Sequence, residues 1–489
     1  MGGSAFSAGD QPLYTPRMPK RVYEVVKDHC FAVLGRLYHH VASPIEGPGK
    51  ADFGDIDMMV SRPCRDDGLG ARQRFDDMAA ALGATRTIFR ENGASNLALP
   101  WPEDEKEENG ESERRAGAQD KFVQVDVLTS PSWDEMRWLL FKHAHGDMWN
   151  ILGSVIRPLG LTASDGGFYV RVPEIEAQNR LRARVLLTMD PDAVLDFLGL
   201  PADRYWRGPF EDLEAMFEYA AGCRFFWLPP PSPPAASPTT PDSSLPSPLP
   251  LPLPLPLPLP LQQQSTDDGG RDGHAAEQDE YLRTLKSSER RRMRQRPAFS
   301  RWLDDFSVRC RRQGRFARPP PPPPTPTLSS SSSLSSSPPP PSPAPATPTR
   351  ESVTSEALAR FHAGDVFRAR RHDFLVEQQR LHIRNKVIKD AAAEASAGRG
   401  DDVAYRSCLT KALRAIVLDG DDSLGIGPDG GASSLERADG MFDLDAVADF
   451  VRRRVGDVGA AAMERHRQKY AATVAASKAK AQEEGGKGG

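Results

Sequence analysis

Apolar residues fall at helical spacing through residues 20–40, where Val22, Val25, Val26, Cys30, Val33, Leu34 and Leu37 recur three or four positions apart and predict one buried helix face. A Gly/Pro-rich turn follows at 43–50, and residues 54–60 then read as a strand running into Met58, Met59 and Val60. Residues 121–128, with Val123, Val125 and Val127, form a second β-branched run, and the acidic stretch 101–120 between it and Asn96–Leu99 reads as a long hairpin insertion. Far downstream the period returns to helical. Ala357, Leu358 and Phe361, then Phe374, Leu375, Leu381, Ile383, Val387 and Ile388, and finally Leu409, Leu413, Ile416, Val447, Phe450 and Val451 predict a helical C-terminal region. The pattern therefore predicts an α/β (α+β) first part followed by helices.

Composition breaks this order in two places. Of the 45 prolines, 29 fall at 229–273, including a Leu-Pro alternation at 249–261, and at 319–349, beside a polyserine run. Proline fixes φ and donates no N–H, so these runs are expected to be disordered or extended linkers. They read as solvated spacers, or as ligands for SH3- or WW-type partners. The expected division is 14–130 and 131–227 as one catalytic unit, linker 228–279, a basic island 280–318, linker 319–350, a helical region 351–482 and a tail 483–489. In the island, Arg290, Arg291, Arg292, Arg294, Arg296, Arg309, Arg311, Arg312, Arg315 and Arg318 suggest a nucleic-acid contact or a nuclear address. Phe299, Trp302, Leu303 and Phe306, at i, i+3, i+4 and i+7, suggest equally an amphipathic helix packed on the first unit.

The net charge of −4 excludes a wholly basic coat protein and a wholly acidic tail. No run approaches 18 apolar residues, so no membrane association is expected, and the opening residues lack a signal-peptide layout. Gly2 does not read as a myristoylation site, because Phe6 stands where Ser or Thr is needed. Five scattered cysteines, Cys30, Cys64, Cys223, Cys310 and Cys408, without a C-x-x-C, suggest free thiols and an intracellular setting, nucleus or cytoplasm left open.

The chemistry concentrates in the first part. Asp55 and Asp57 are two apart in a predicted strand, so both carboxylates project from one face. Their repulsion calls for a cation, which a divalent metal supplies. Asp126 sits inside an apolar strand, where a charge is costly unless paired. If the two strands are neighbours, the three carboxylates offer hard oxygen ligands for two Mg²⁺ (or Mn²⁺) ions about 3.5–4 Å apart.

At these residues the chain resembles the nucleotidyltransferase superfamily, and within it the palm and thumb of family X (beta-type) DNA polymerases. Gly49, Lys50 and Gly54-Asp55-Ile56-Asp57 match the family's Gly-Lys and Gly-Asp-x-Asp, and Val125-Asp126-Val127 matches its third aspartate strand. Gly160-Leu161-Thr162 with Gly166-Gly167-Phe168, and Phe197-Leu198-Gly199-Leu200-Pro201 with Arg204, resemble its closing segments, so the likeness covers about residues 20–205. The opening residues 1–6 also resemble small stand-alone, including phage-encoded, nucleotidyltransferases. The resemblance implies a mixed sheet with flanking helices. It implies transfer of an NMP or dNMP from a nucleoside triphosphate to an acceptor hydroxyl, with release of pyrophosphate. Asp55, Asp57 and Asp126 would be catalytic and metal-holding, with Ser43, Gly49, Lys50, Gly54 and Asn150 toward the nucleotide. The chain departs from the family at the turn, where Pro44-Ile45 stand for its Gly-Ser and Gly47-Pro48 for its Arg-Arg, with Ser43 one residue upstream. No helix-hairpin-helix or lyase segment precedes the palm-like part, so gap filling on DNA does not follow. Two other readings compete: a nucleotidyltransferase-fold scaffold without turnover, and a nucleic-acid-binding protein acting through the arginine island.

Among lesser candidates, Arg157 would reach phosphate. His143 and His145 read as surface residues or site residues, and Trp133 and Trp138 as core or as base-stacking platforms.

Overall fold

The structure, a computed structural model, describes all residues except 1–2, 9, 66–67, 92, 103–119, 229–286, 288–290, 292–294, 318–347, 400–401, 430–434 and 486–489. The proline runs, the body of the acidic insertion, Arg290, Arg292, Arg294 and Arg318 lie outside the described residues. The chain forms two compact units: Met1–Val170 with Leu186–Phe361, and Arg171–Val185 with His362–Gly489.

The first unit opens with β1 (Met18–Pro19), α1 (Lys20–Leu34), β2 (Tyr38–Ala42), β3 (Asp52–Phe53) and β4 (Ile56–Pro63). It continues with α2 (Ala71–Leu82), β5 (Arg86–Ile88), β6 (Ser95–Pro100) and β7 (Phe122–Ser130). The predicted helix is present but ends at Leu34, and residues 38–40 of its expected span belong to strand β2; both predicted strands are present, the first beginning at Ile56. Five strands make one mixed sheet in the order β2-β4-β7-β6-β5; β4 and β7 run parallel, and the other neighbours run antiparallel. The buried face of α1, with Val22, Tyr23, Val26, Cys30 and Leu34, and that of α2, with Phe75, Met78 and Leu82, close over Ile56, Met58, Val60, Val123, Val125 and Val127. β4 is buried on both sides from Met58 to Ser61, as befits a strand in mid-sheet.

Beyond the sheet come α3 (Trp133–His143), α4 (Met148–Ile156), β8 (Leu161–Ser164), β9 (Gly167–Arg171), α5 (Pro173–Glu176) and β10 (Arg184–Thr188). β8, β9 and β10 form a second sheet with β9 in the middle. Then follow α6 (Pro191–Leu198), α7 (Ala202–Trp206) and α8 (Leu213–Ala221). The stretch from Asp190 to Leu200 is a helix written in full. Asp190 caps its N-terminus by accepting the Asp192 N–H, Pro191 fills the first turn, and Gly199 ends it at φ 72°.

The basic island is the predicted amphipathic helix. α9 (Pro297–Arg301) passes through a π-helical turn, Trp302–Phe306, into α10 (Ser307–Arg312). Phe299, Trp302, Phe306 and Cys310 are buried, and Trp302 and Phe306 pack on Phe217 of α8, with ring centroids 5.6 and 5.5 Å away. Arg309 pairs with Glu214, and Arg315 with Glu218 at 2.7 Å. These arginines thus lie against acids of the same unit. The unit ends with α11 (Arg350–Arg360), capped by Thr349 and Ser352.

The long helices of the second unit fall in the C-terminal stretch expected to be helical, although the first helix of that stretch, α11, belongs to the first unit and the second unit also takes in Arg171–Val185. α12 (Gly364–His382) continues through a π-helical turn, Ile383–Val387, into α13 (Ile388–Ser396), followed by α14 (Asp402–Asp419) and α15 (Leu444–Gly485). Ile383, Ile388, Leu409, Leu413, Ile416, Phe442, Val447 and Phe450 form its core. No helix among the described residues is long and apolar enough to cross a membrane.

Phe306→Ala is expected to destabilise the first unit by about 3–5 kcal/mol, the cost of a deleted core aromatic. Arg315→Ala, at a half-exposed ion pair, should cost under about 1 kcal/mol. Urea unfolding followed by tryptophan fluorescence measures both; equal costs would contradict the apolar face as the anchor.

Candidate active site

The parallel β4–β7 pairing sets the site. Its register places Asp57 directly opposite Asp126, and Ile56 opposite Val125, so the two aspartates are about 4.8 Å apart at the backbone. Asp55 immediately precedes β4, one residue outside the strand. The three acids sit at the start of the β4–β7 pairing: Ile56 and Met58 flanking Asp57 are buried, while Asp57 reaches solvent and Asp126 is half-buried.

Their charges oppose one another. Asp57's carboxyl is pushed up to about 6, first by its crowding among protein atoms, then by the charges of Asp55 and Asp126 and, more weakly, Glu46; only His143 acts in the other direction. It is thus open to water at one edge yet poorly hydrated. Asp55 is raised by loss of water and by Asp126, and lowered by the Gly3 N–H that it accepts and by Lys50. Mutual repulsion of this kind is relieved by a proton or by a cation.

Asp126 has partners that its sequence context does not reveal. Its Oδ1 accepts from Asn96 Nδ2 at 2.6 Å and from Gln124 Nε2 at 2.8 Å. Asn96 stands directly opposite Asp126 on β6, and Gln124 lies two residues back on the same strand face. Both amides are buried. The expectation that a charge in this strand must be paired holds, and the pairing is with amide donors. Gln124 is itself held, because its Oε1 accepts the Ala5 N–H at 2.9 Å. That contact leaves its Nε2 facing Asp126. With Asp126 turned to these donors, no group of three His, Cys, Asp or Glu side chains among the described residues is arranged as it stands to hold a metal ion. The donor set is nonetheless three hard carboxylates with two raised proton affinities, which suits Mg²⁺ or Mn²⁺ in type.

A strap that includes residues 3–8 and 10–15 borders the site. Phe6 is buried, Thr15 donates to the Gly3 carbonyl at 2.7 Å, and Phe122 N–H donates to the Tyr14 carbonyl at 2.9 Å. Gly3 adopts φ +85°, and a Cβ there would lie 2.3 Å from the Gly54 carbonyl oxygen. Only glycine brings the strap's backbone this close to the Asp55 turn.

The turn 43–50 lies beside the acids. Ser43 Oγ is buried and lies against the Tyr23 phenol. Gly49 takes φ +69° at the exposed tip. Lys50 Nζ is bonded to Glu46 Oε2 at 2.5 Å. Glu46 Oε1 accepts from Tyr23 Oη at 2.5 Å, and Lys27 Nζ donates to that hydroxyl at 3.1 Å. Burial, then Glu46, pushes the Tyr23 phenol well above its ordinary range.

The remaining candidates divide. Asn150 donates to Asp147 Oδ1 at 3.1 Å within the first turn of α4, and Asp147 also pairs with Arg296 from the basic island. His143 is half-exposed and 3.7 Å from Asp165. His145 is not at the surface. It is fully buried, its Nε2 lies 2.9 Å from the Tyr205 carbonyl, and burial lowers its pKa to about 4, so it is neutral. Its N–H donates to the Ile45 carbonyl at 2.7 Å, which ties the turn to the start of α4. Trp138 is core, donating to the Ser164 carbonyl, whereas Trp133 is 45% exposed against His40. Arg157 folds its guanidinium over Gly153 on its own helix.

Sequence reasoning missed Asn96, Gln124, Glu46 and Tyr23. Gln124 was visible as an amide at i−2 to the aspartate. Glu46 was visible as an acid in a turn expected to meet phosphate. Asn96 needed the β6–β7 register, and Tyr23 needed the packing of α1.

Neither a protein-family model nor a curated protein sequence matches the chain. Among solved structures, it is similar to the Leishmania infantum polymerase beta in a ternary primer–template complex, at 16% identity and a TM-score of 0.26, covering 38% of this chain and 74% of that one. The ternary gap complex of the same enzyme gives the same identity and TM-score, covering 38% and 68%.

Proposed function

We propose that the first unit is a metal-dependent nucleotidyltransferase, moving an NMP or dNMP from a nucleoside triphosphate to an acceptor hydroxyl. The observation that carries this reading is the register: Asp57 and Asp126 face each other on adjacent parallel strands, with Asp55 just before. The likeness of the Gly-Asp-x-Asp and third-strand motifs to family X polymerases supports it. So do the raised proton affinities of Asp55 and Asp57, which a cation would relieve.

Asp55, Asp57 and Asp126 would hold the ions, which when bound supply a Lewis acid for the α-phosphate and neutralise the departing pyrophosphate. Asp126, kept in one rotamer by Asn96 and Gln124, would point its second oxygen at the acceptor hydroxyl and assist loss of that proton. The acceptor oxygen bonds to the α-phosphorus, and the α–β bridging bond breaks. Ser43 and Lys50 would contact the phosphates, and Asn150 the sugar or base. Nucleic acid as acceptor, reached through the arginines of the 290–318 island, and SH3- or WW-type partners at the proline runs extend this reading.

A second reading, a fold of this type that binds without turnover, is favoured by one feature. The turn that should cradle phosphate has Pro44-Ile45 and an acid, Glu46, that engages Lys50. Mg²⁺- or Mn²⁺-dependent thermal stabilisation requiring Asp55 and Asp57 separates the two, since a pure scaffold shows none.

Transfer of label from α-labelled NTPs and dNTPs should occur with Mg²⁺ or Mn²⁺, and should fall on the order of a thousandfold in Asp57→Ala and Asp126→Ala. Undiminished transfer in either variant would remove the assignment. Gln124→Ala and Asn96→Ala should each weaken activating-metal affinity by about 10–100-fold while the fold persists, as for outer partners of metal ligands; unchanged metal dependence would make these amides purely structural.

The pH dependence has a definite sign. Asp57's folded pKa, about 6, lies above the ordinary aspartate value. Its contribution to stability is therefore fully present below the unfolded pKa and is lost as pH rises through about 6. In chelator, Asp57→Asn should melt higher than wild type at pH 7.5, with the gain gone near pH 4. A gain that does not change with pH would show that Asp57 is not the strained group.

A further inference from the structure

Glu46 sits where the proposed reaction requires a cationic cradle, and both its oxygens are taken. Oε1 accepts the Tyr23 hydroxyl and Oε2 the Lys50 ammonium, each at 2.5 Å. The arrangement is built from several sides. Tyr23 stacks on Phe53, with centroids 3.9 Å apart and planes 15° from parallel, and Lys50 lies over that same Phe53 ring at 5.7 Å. Lys27 steadies the Tyr23 hydroxyl from behind at 3.1 Å. Tyr23 and Phe53 are buried, while Lys50 and Glu46 keep 46% and 25% of their side chains exposed. Beside them, the buried Ser43 hydroxyl faces the Tyr23 phenol.

From this geometry we infer that Glu46 is an internal competitor for the triphosphate, holding Lys50 in place of a phosphate until a nucleoside triphosphate displaces it. The inference rests on the nucleotidyltransferase reading of the same site. The chemistry is an exchange of anions on one ammonium. A carboxylate carries one charge and meets Lys50 through one oxygen, whereas a polyphosphate carries several charges and several acceptor oxygens. The Glu46–Lys50 pair is partly solvated, so breaking it costs little, and the Tyr23 hydroxyl remains to hold the displaced carboxylate. Glu46 thereby sets affinity for the polyphosphate moiety, independently of the base.

The test is binding of inorganic tripolyphosphate by calorimetry to the full chain and to Glu46→Gln, Lys50→Ala and the double variant. The probe needs neither turnover nor a chosen base. Glu46→Gln keeps an acceptor for Tyr23 and removes the charge, and should bind about threefold to tenfold tighter, the span of one partly exposed ion pair. In the double variant the gain should vanish relative to Lys50→Ala alone, because Glu46 acts through Lys50. Acetylation of Lys50, followed by mass spectrometry, should be faster in Glu46→Gln than in wild type and slowed by tripolyphosphate. Equal or weaker binding by Glu46→Gln, or a gain that survives Lys50→Ala, overturns the inference. Tighter binding by Glu46→Gln without label transfer from any nucleotide leaves this inference standing and removes the transferase reading. Label transfer by wild type with unchanged tripolyphosphate binding in Glu46→Gln does the reverse.

Discussion

Everything at the site depends on one parallel ladder between β4 and β7. A parallel pair joins strands remote in sequence, and here it brings Asp57 opposite Asp126 across about 70 intervening residues. A shift of one residue would turn Asp126 to the opposite face and bring Val125 or Val127 beside Asp57. The apolar residues along both strands protect the register. Met58, Val60, Val123, Val125 and Val127 are buried between the helices and the sheet, so slippage would expose the core. Apolar packing thus holds two like charges beside each other against their repulsion. Loss of water, with that repulsion second, raises the proton affinity of Asp57 and Asp55, whereas Asp126 is held by neutral amide donors.

The elements that packing alone decides were legible in the sequence. The α1 periodicity up to Leu34, both aspartate strands and the amphipathic face of the arginine island appear where their apolar spacing puts them. The arginine island shows why a charge run is ambiguous. Read as a list of cations it suggests a polyanion, but Arg296, Arg309 and Arg315 each meet an acid of the same unit. No spacing rule carries that information, since these acids lie 95 to 149 residues away in sequence. His145 was similarly hidden. Its polar neighbours in sequence suggest surface, and only the packing of Tyr205 and Phe210 around it explains its burial.

At the site, legibility stopped at the first ring of residues. Two aspartates two apart and a third in an apolar strand are a local pattern, so they could be found. The groups that orient them come from β6, from the strap near Gly3 and from α1, and these depend on tertiary register. Gln124 illustrates the boundary. Its position is local, but the orientation of its amide is decided by the Ala5 N–H, more than a hundred residues away.

The charge balance around the turn also orders the proposed reaction. Asp55, Asp57, Asp126 and Glu46 make the cleft anionic, and Lys50 and His143 offset this only in part. A polyphosphate approaching the bare site would meet carboxylates crowded by protein atoms, where like-charge repulsion is weakly screened. Cations bound to the aspartates would invert the local field before the nucleotide arrives. Lys50 could then leave Glu46 for the incoming phosphates at small cost. In this scheme the acids that suit the site to metal also exclude nucleotide from the empty enzyme, so the order of binding follows from the arrangement of charge and requires no moving domain.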